Sequence, residues 1–294
     1  MKKLFRIAAP LLMVAAILFY GYQEYLQRQT YLSLADVPDY SGAAYVVLEQ
    51  NQPDFSQEQF VPGTERYSQL DILGRCGETF AVIGPETMPQ EERGAIGQVK
   101  PSGWHLAKYD CVDGKYLYNR CHLIGYQLSG ENANEQNLIT GTRYLNVDGM
   151  LPYENQVADY VESTGNHVFY RSTPIFQGTE LVARGVQLEA WSVEDEGAGV
   201  CFNVYLYNVQ PGVEIDYATG ESWLAGEQRP AAGPEQSPQQ EEEITYILNT
   251  KSQRFHLPDC SGAASTSQQN KQSTTLDRQT LIEQGYTPCG QCKP

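Results

Sequence analysis

Positive charge and histidine are both in short supply. Twenty Lys and Arg stand against 36 Asp and Glu, for a formal net charge of -16. That balance is a poor match to a protein that holds nucleic acid by bulk attraction, because phosphate contacts need Lys and Arg. Chemistry on a polyanion would have to rest on a few clustered cations, or on a divalent ion that supplies positive charge locally. Only His105, His122, His167 and His256 change charge near neutral pH, so a neutral-pH proton-transfer site has few candidate bases. No internal repeat is present, which excludes a repeat array. The seven cysteines are odd in number, so at least one stays out of any intramolecular disulfide set.

The chain begins as a targeting segment. Lys2, Lys3 and Arg6 precede an uncharged, mostly apolar run from Ile7 to Tyr22, interrupted by Pro10. A cleavable signal peptide is one reading. No small-x-small cleavage site follows, because Leu18, Phe19, Tyr20 and Tyr22 crowd the end of the run. The favoured reading is therefore an uncleaved signal anchor over residues 1–25 with its positive end inside, followed by a polar stalk over 26–36. Either way the bulk of the chain is exported, and the expected location is the cell membrane, single-pass, with the globular part outside. Export permits disulfides among Cys76, Cys111, Cys121 and Cys201, whose pairing the sequence leaves open.

Globular character spans 37–223. Strands are predicted at Ala44–Leu48, Phe80–Gly84, Lys115–Tyr118, Val168–Ser172, Leu181–Leu188 and Val200–Asn208, the last a long β-branched and aromatic run. One helix is predicted over Tyr153–Glu162, where Tyr153, Val157, Tyr160 and Val161 follow helical spacing and Pro152 suits the first turn. The fold class is α+β with a central antiparallel sheet. Residues 224–243 form a linker rich in Pro, Gln, Glu and Ala, and 244–294 a small second unit.

His122 has the most suggestive surroundings. It follows Arg120 across Cys121 at the end of a predicted strand, ahead of an amide-rich stretch from Asn132 to Asn146. Amides this dense are costly to bury without partners, and phosphates, waters and a hard cation are suitable ones. A lone histidine is otherwise most often a satisfied core residue; His105 and His167 are read that way, as structural or surface residues. Arg143 suits a phosphate contact and a surface salt bridge equally. Tyr abundance suits base stacking, though sheet packing explains most of it.

Asn119-Arg120-Cys121-His122, followed by Leu123-Ile124-Gly125-Tyr126, resembles the Asp-Arg-Gly-His signature of the DNA/RNA non-specific endonuclease family. The resemblance continues through Asn137-Leu138-Ile139-Thr140 and Asn146 to Glu154. It implies the ββα-metal nuclease fold and Mg²⁺-dependent hydrolysis of DNA or RNA phosphodiesters with little sequence preference. By resemblance, His122 takes a proton from the attacking water, Asn146 ligates Mg²⁺ directly, and Glu154 holds the ion through water. Arg120 grips phosphate, and Asn137 positions His122 or a water. Two departures stand out: Asn119 replaces the family's Asp and Cys121 its Gly. Gly149 and Pro152 also break any single helix joining Asn146 to Glu154. These departures motivate an alternative, a nuclease-derived surface protein that binds nucleic acid without cutting it. A purely structural surface protein would do neither.

In the last unit, His256 and Cys260 face Cys289 and Cys292 across a polar stretch and a predicted short helix, Leu276–Gln284. One His and three Cys, two of them in Cys-x-x-Cys, make a tetrahedral Zn²⁺ set, and the unit resembles small Ada-type metal-binding modules. A disulfide is the competing staple that export permits. So small a unit needs one or the other.

Overall fold

The computed structural model describes residues 33–55, 60–229, 245–276 and 278–292. The expected anchor at 1–25 lies outside the described residues, as do most of the stalk and linker. Among the described residues no helix is long and apolar enough to cross a membrane. The chain divides into two compact units, Met1–Pro38 and Asp39–Pro294. In the first, the described part is a single 3-10 turn, Leu34–Asp36, capped by the Ser33 hydroxyl.

The second unit is built on a six-stranded sheet. Its strands are β1 (Tyr45–Val47), β2 (Glu65–Tyr67), β3 (Thr79–Ile83), β6 (Val168–Ile175), β7 (Gly185–Ser192) and β8 (Cys201–Tyr207). The order is β1-β8-β7-β6-β3-β2, and every neighbouring pair is antiparallel. Alternation along the strands sends side chains to opposite faces. Ala81, Ile83, Val168 and Tyr170 enter the main core, whereas Phe80, Val82 and Phe169 pack on the far side with Phe55 and Phe60. Both faces are therefore covered, and β6 is buried along almost its whole length. On the far face the cross-strand pair Arg171–Glu189 closes a two-pronged ion pair, both contacts 2.7 Å, and Arg171 stacks on Phe55.

The main core is roofed by a strand–strand–helix unit. Among the described residues, strands β4 (Tyr118–His122) and β5 (Leu138–Thr142) pair only with each other, antiparallel. A short helix α1 (Tyr126–Ser129) lies between them in sequence. After β5 the backbone turns helical at Arg143, widens into a π-helical segment at Leu145–Met150 and continues as α2 (Leu151–Thr164). Met150, Val157, Ala158 and Val161 of this helix pack against Val204 and Leu206 of β8 within one cluster.

The structure corrects three expectations. The strand predicted at Lys115–Tyr118 starts at Tyr118, because Lys115 adopts a left-handed φ of 68° and closes a turn back to Val112. The His122 motif is thus the strand itself rather than its sequel. Leu181–Ala183 is a connection held by two bonds to the Tyr217 carbonyl, with Val182 and Ala183 buried, and β7 begins at Gly185. Finally, Gly149 and Pro152 do not break the helix: Tyr144, Met150 and Leu151 all have helical backbone angles.

The tail forms its own four-stranded sheet of β11 (Tyr246–Asn249), β12 (Arg254–His256), β13 (Lys271–Thr274) and β14 (Thr287–Pro288), in the order β13-β11-β12-β14. Helices α3 (Ser261–Ala264) and α4 (Arg278–Glu283) accompany it. Between the sheets in sequence, β9 (Val213–Ile215) and β10 (Ser222–Leu224) make a small hairpin.

Cys121 and Gly141 exchange space across the β4–β5 pair. A Cβ added at Gly141 would lie only 2.3 Å from Cys121 Sγ, so the side chain that departs from the family motif fills the room a neighbouring glycine leaves. We predict that Gly141→Ala destabilises the protein by about 1–3 kcal/mol, the usual cost of overpacking, and that Cys121→Gly/Gly141→Ala recovers part of that loss. Urea unfolding of the four-member mutant cycle measures the coupling. Simple additivity would show that the two positions do not share space.

Candidate functional site

Strand β4 presents Arg120 and His122 on one face and Asn119 and Cys121 on the other. Cys121 is fully buried in the main core, where burial pushes its thiol well above the usual range. It is a free cysteine, as are Cys76, Cys111 and Cys201.

His122 is buried, and both ring nitrogens are engaged. Nε2 lies 2.8 Å from the Asn132 carbonyl and Nδ1 lies 3.2 Å from Arg93 Nη2. Arginine has donors and no acceptor, so Nδ1 must offer its lone pair to Arg93, and Nε2–H then donates to Asn132. The neighbours thereby select the tautomer, with the basic nitrogen directed at a guanidinium. Arg93 is itself buried, and its guanidinium lies 5.9 Å from the Tyr126 ring. Beside it opens a surface cavity of 320 Å³ lined by Pro89, Glu91, Glu92, Gly94, Tyr126 and Asn132, among others.

Asn137 is completely buried and closes a two-bond clamp on Ile124: Ile124 N–H donates to Oδ1 at 2.9 Å and Nδ2 donates to the Ile124 carbonyl at 3.0 Å. Its own carbonyl receives the Leu123 N–H. It therefore fixes the backbone immediately after His122. Arg120 is turned elsewhere. It donates to the carbonyls of Val99 (2.5 Å) and Gly97 (2.7 Å) and lies 4.0 Å from the Trp104 ring. Those contacts secure the 97–104 segment, and the guanidinium beside His122 is that of Arg93.

Asn146 is half-buried in the π-helical segment, whose pattern is visible in the bond from Leu151 N–H to the Asn146 carbonyl. Glu154 is a buried carboxylate on α2, seated against Gly125. A Cβ at Gly125 would come within 2.7 Å of Glu154 Oε2, so a larger residue there would displace the carboxylate. Eight α-helical residues return to a position about 80° away, whereas one π turn absorbs roughly one extra residue and brings the two positions back near a common face. An amide oxygen and a carboxylate are oxygen donors of the kind a hydrated Mg²⁺ takes. Asn119 Oδ1 and Asn132 Oδ1 are buried acceptors without a hydrogen-bond partner among the described residues, and the waters of a hydrated cation are donors of the required kind.

Sequence reading missed two residues. Arg93 lies 29 positions before His122 in a Glu-Glu-Arg-Gly stretch that reads as a loop, with no local signal beyond an arginine between carboxylates and a glycine. Asn208, taken only as the end of a strand, is fully buried; it accepts from Thr142 N–H and donates to the carbonyls of Thr140 and Ala183. The remaining histidines and Arg143 have local partners. His105 contacts the Thr219 carbonyl, His167 lies between Glu86 and Glu194, and Arg143 pairs with Asp113.

In the tail, His256, Cys260, Cys289 and Cys292 bring one ligand atom each to within 4.8 Å of one another. Cys260 Sγ is 3.5 Å from His256 Nδ1 and 4.0 Å from Cys289 Sγ. Sulfurs at this separation are non-bonded and suit the edges of a tetrahedron around one ion, since Zn–S bonds are about 2.3 Å. Burial lowers the pKa of His256, favouring the neutral ligand form. Bonds from the backbone N–H groups of Cys292 and Gln291 lower that of Cys289, while burial raises Cys292 to about 11.

Comparison with known proteins agrees with this geometry. Residues 56–194 match the family described as DNA/RNA non-specific endonuclease. A deoxyribonuclease of Streptococcus dysgalactiae subsp. equisimilis is 33% identical over 110 residues, which are 36% of this chain and 32% of that protein. The chain thus spans about a third of the length of this curated relative. The structure of NucA from Streptococcus agalactiae with magnesium bound aligns at a TM-score of 0.56 and 26% identity, covering 69% of this chain and 97% of NucA. The metal-free NucA structure aligns at 0.55 and 27% identity, covering 69% and 95%. With the strand–strand–helix unit and these matches in agreement, residues 56–194 are similar to the DNA/RNA non-specific endonuclease family.

Proposed function

We propose that the protein is a Mg²⁺-dependent endonuclease that hydrolyses phosphodiester bonds of DNA, RNA or both without strong sequence specificity, held at the cell membrane with its catalytic domain outside. The observation that carries the reading is His122, with Nε2–H tied to the Asn132 carbonyl and a lone pair on Nδ1 directed at Arg93. A fixed tautomer with a basic nitrogen beside a guanidinium is the arrangement needed to deprotonate a water next to a bound phosphate. As Arg93 exchanges its bond to Nδ1 for a bound phosphate, the freed Nδ1 lone pair takes the proton from water, and the Asn132 carbonyl holds the ring as positive charge develops on it. Arg93 takes the phosphate-gripping role that the motif alone assigned to Arg120, since a forked guanidinium matches phosphate oxygens. Asn146 would ligate Mg²⁺ directly, and Glu154 would hold it through water. When bound, the ion supplies positive charge to the phosphate and the leaving 3′ oxygen. Asn137 keeps the strand end in place. Contacts of these kinds read phosphate and carry no sequence information. The membrane assignment rests on Lys2, Lys3, Arg6 and the apolar run to Tyr22.

Plasmid and RNA incubated with the protein in Mg²⁺ or in EDTA provide the direct test, with cleavage expected only in Mg²⁺. A gel shift without product would favour the binding-only alternative that Asn119 and Cys121 raise. His122→Ala is expected to lower the rate by about 10²–10⁴-fold while leaving the fold intact; a folded variant cutting at near wild-type rate would remove His122 from the mechanism. Asn146→Ala should raise the Mg²⁺ concentration for half-maximal rate, and Glu154→Ala should do so more mildly. An unchanged titration in Asn146→Ala would end the ligand assignment.

In the tail, His256, Cys260, Cys289 and Cys292 are proposed to hold one structural Zn²⁺, whose binding energy is largely folding energy for so small a unit. Metal analysis with a free-thiol count is expected to give about one ion per chain. No zinc and no free thiols among these three cysteines would instead mean a disulfide-bearing unit.

A further inference from the structure

We propose that the metal-stapled tail braces the nuclease site, so that loss of the tail's ion slows cleavage. The inference rests on the reading of Arg93 and His122 given above, and on three contacts. Gln284, just after α4, donates from Nε2 to the Arg93 carbonyl at 3.4 Å. Arg278, the first residue of α4, approaches Asp113 at 3.8 Å. The same Asp113 is paired at 3.1 Å with Arg143, three residues before Asn146. Arg278 is closely fitted as well: a Cβ at Gly114 would stand 2.9 Å from its Nε.

Both ends of α4 therefore land beside the site, one on the backbone of the residue at His122 Nδ1 and the other on the turn that anchors the start of the Asn146 helix. What fixes α4 is the cluster. Leu281 of α4 is buried against Tyr246, Leu248 and Phe255 of the tail sheet. A short turn then joins the helix to β14, which is hydrogen-bonded beside β12 and leads directly into Cys289. Strand β12 itself ends on His256. An ion drawing His256, Cys260, Cys289 and Cys292 together would hold β12 and β14 in register and α4 in its berth. Without it, a sheet this small loses its staple, and Arg93 loses a support. Small displacements of a phosphate-positioning group are expensive in rate.

The test uses the purified full chain, with zinc content, amide hydrogen exchange over residues 91–97, and kcat and KM on plasmid DNA at saturating Mg²⁺. Cys289→Ser is expected to lose the tail zinc, exchange faster at 91–97, and lose about tenfold in kcat with little change in KM. Gln284→Ala should keep the zinc yet reproduce part of the faster exchange and part of the kcat loss, which a merely stabilising tail would not do. Because Gln284→Ala leaves the cluster intact, it decides the matter if Cys289→Ser fails to fold. Unchanged exchange and kcat in Gln284→Ala, or zinc loss without effect at 91–97, overturns the proposal. His122→Ala run in parallel separates the two claims: if it still cuts, the reading of the site fails, while exchange at 91–97 continues to report whether the tail braces that segment.

Discussion

A two-stranded ribbon is at best marginally stable by itself in water, and the site's central ribbon, β4–β5, has no third strand among the described residues. Two completely buried asparagines supply what the missing strand would. Asn137 bonds both backbone groups of Ile124 at the His122 end. Asn208 reaches the Thr142 N–H and the Thr140 carbonyl at the other end and ties them to Ala183. An amide side chain presents one donor group and one acceptor in fixed geometry, so it copies a peptide unit and satisfies ribbon edges that burial would otherwise leave costly. The position of His122, and of the helix that begins one residue after Thr142, follows from these clamps. Loss of either amide would strand buried backbone groups, each a matter of about 1–3 kcal/mol.

Part of this was legible in the sequence, and for a physical reason. His122, Asn137, Asn146 and Glu154 lie within 33 consecutive residues, because one strand–strand–helix unit carries them all; local spacing therefore encoded their relation. The tail cluster was legible on the same grounds, since Cys-x-x-Cys places two ligands on one turn. Arg93 was not, because its place beside His122 is created by the tertiary path of the 84–104 segment rather than by any periodicity. Arg120 shows the converse limit. A motif records which residue type recurs, whereas the bonds to Gly97 and Val99 and the Trp104 ring determine what that arginine does here. The sheet strands were legible as apolar alternation, with their ends misplaced where a left-handed residue such as Lys115 ended the run.

The helix after β5 explains why Gly149 and Pro152 misled. Proline breaks an α-helix by deleting a donor and by crowding the carbonyl four residues earlier. In a π-helical segment the bonds run to the fifth residue back, as Leu151 to Asn146 does, so the carbonyl that proline would crowd is already displaced. Pro152 then falls in the first turn of α2, where no donor is required. Gly149 lies in the widened turn against β8, where an added Cβ would meet Leu206 Cβ at an ordinary contact distance of 3.8 Å. Residues that read as helix breakers are thus accommodated where the π-helical segment passes into α2.

The charge of -16 and the proposed action on a polyanion are reconciled by scale. Beyond about 10 Å, exposed charges are screened at ordinary ionic strength, so the bulk acidity acts on encounter more than on chemistry. On the proposed reading the groups that matter are few: Arg93 at 3.2 Å from His122, and an amide and a carboxylate of the kind one hydrated cation takes. A protein that clasped nucleic acid along a basic face would gain ground-state affinity without lowering the barrier to cleavage, because binding substrate and transition state alike does not raise the rate of the chemical step. In the proposed mechanism, confining positive charge to the reacting phosphate would spend the interaction where charge grows, and an acidic exterior would favour departure of polyanionic products.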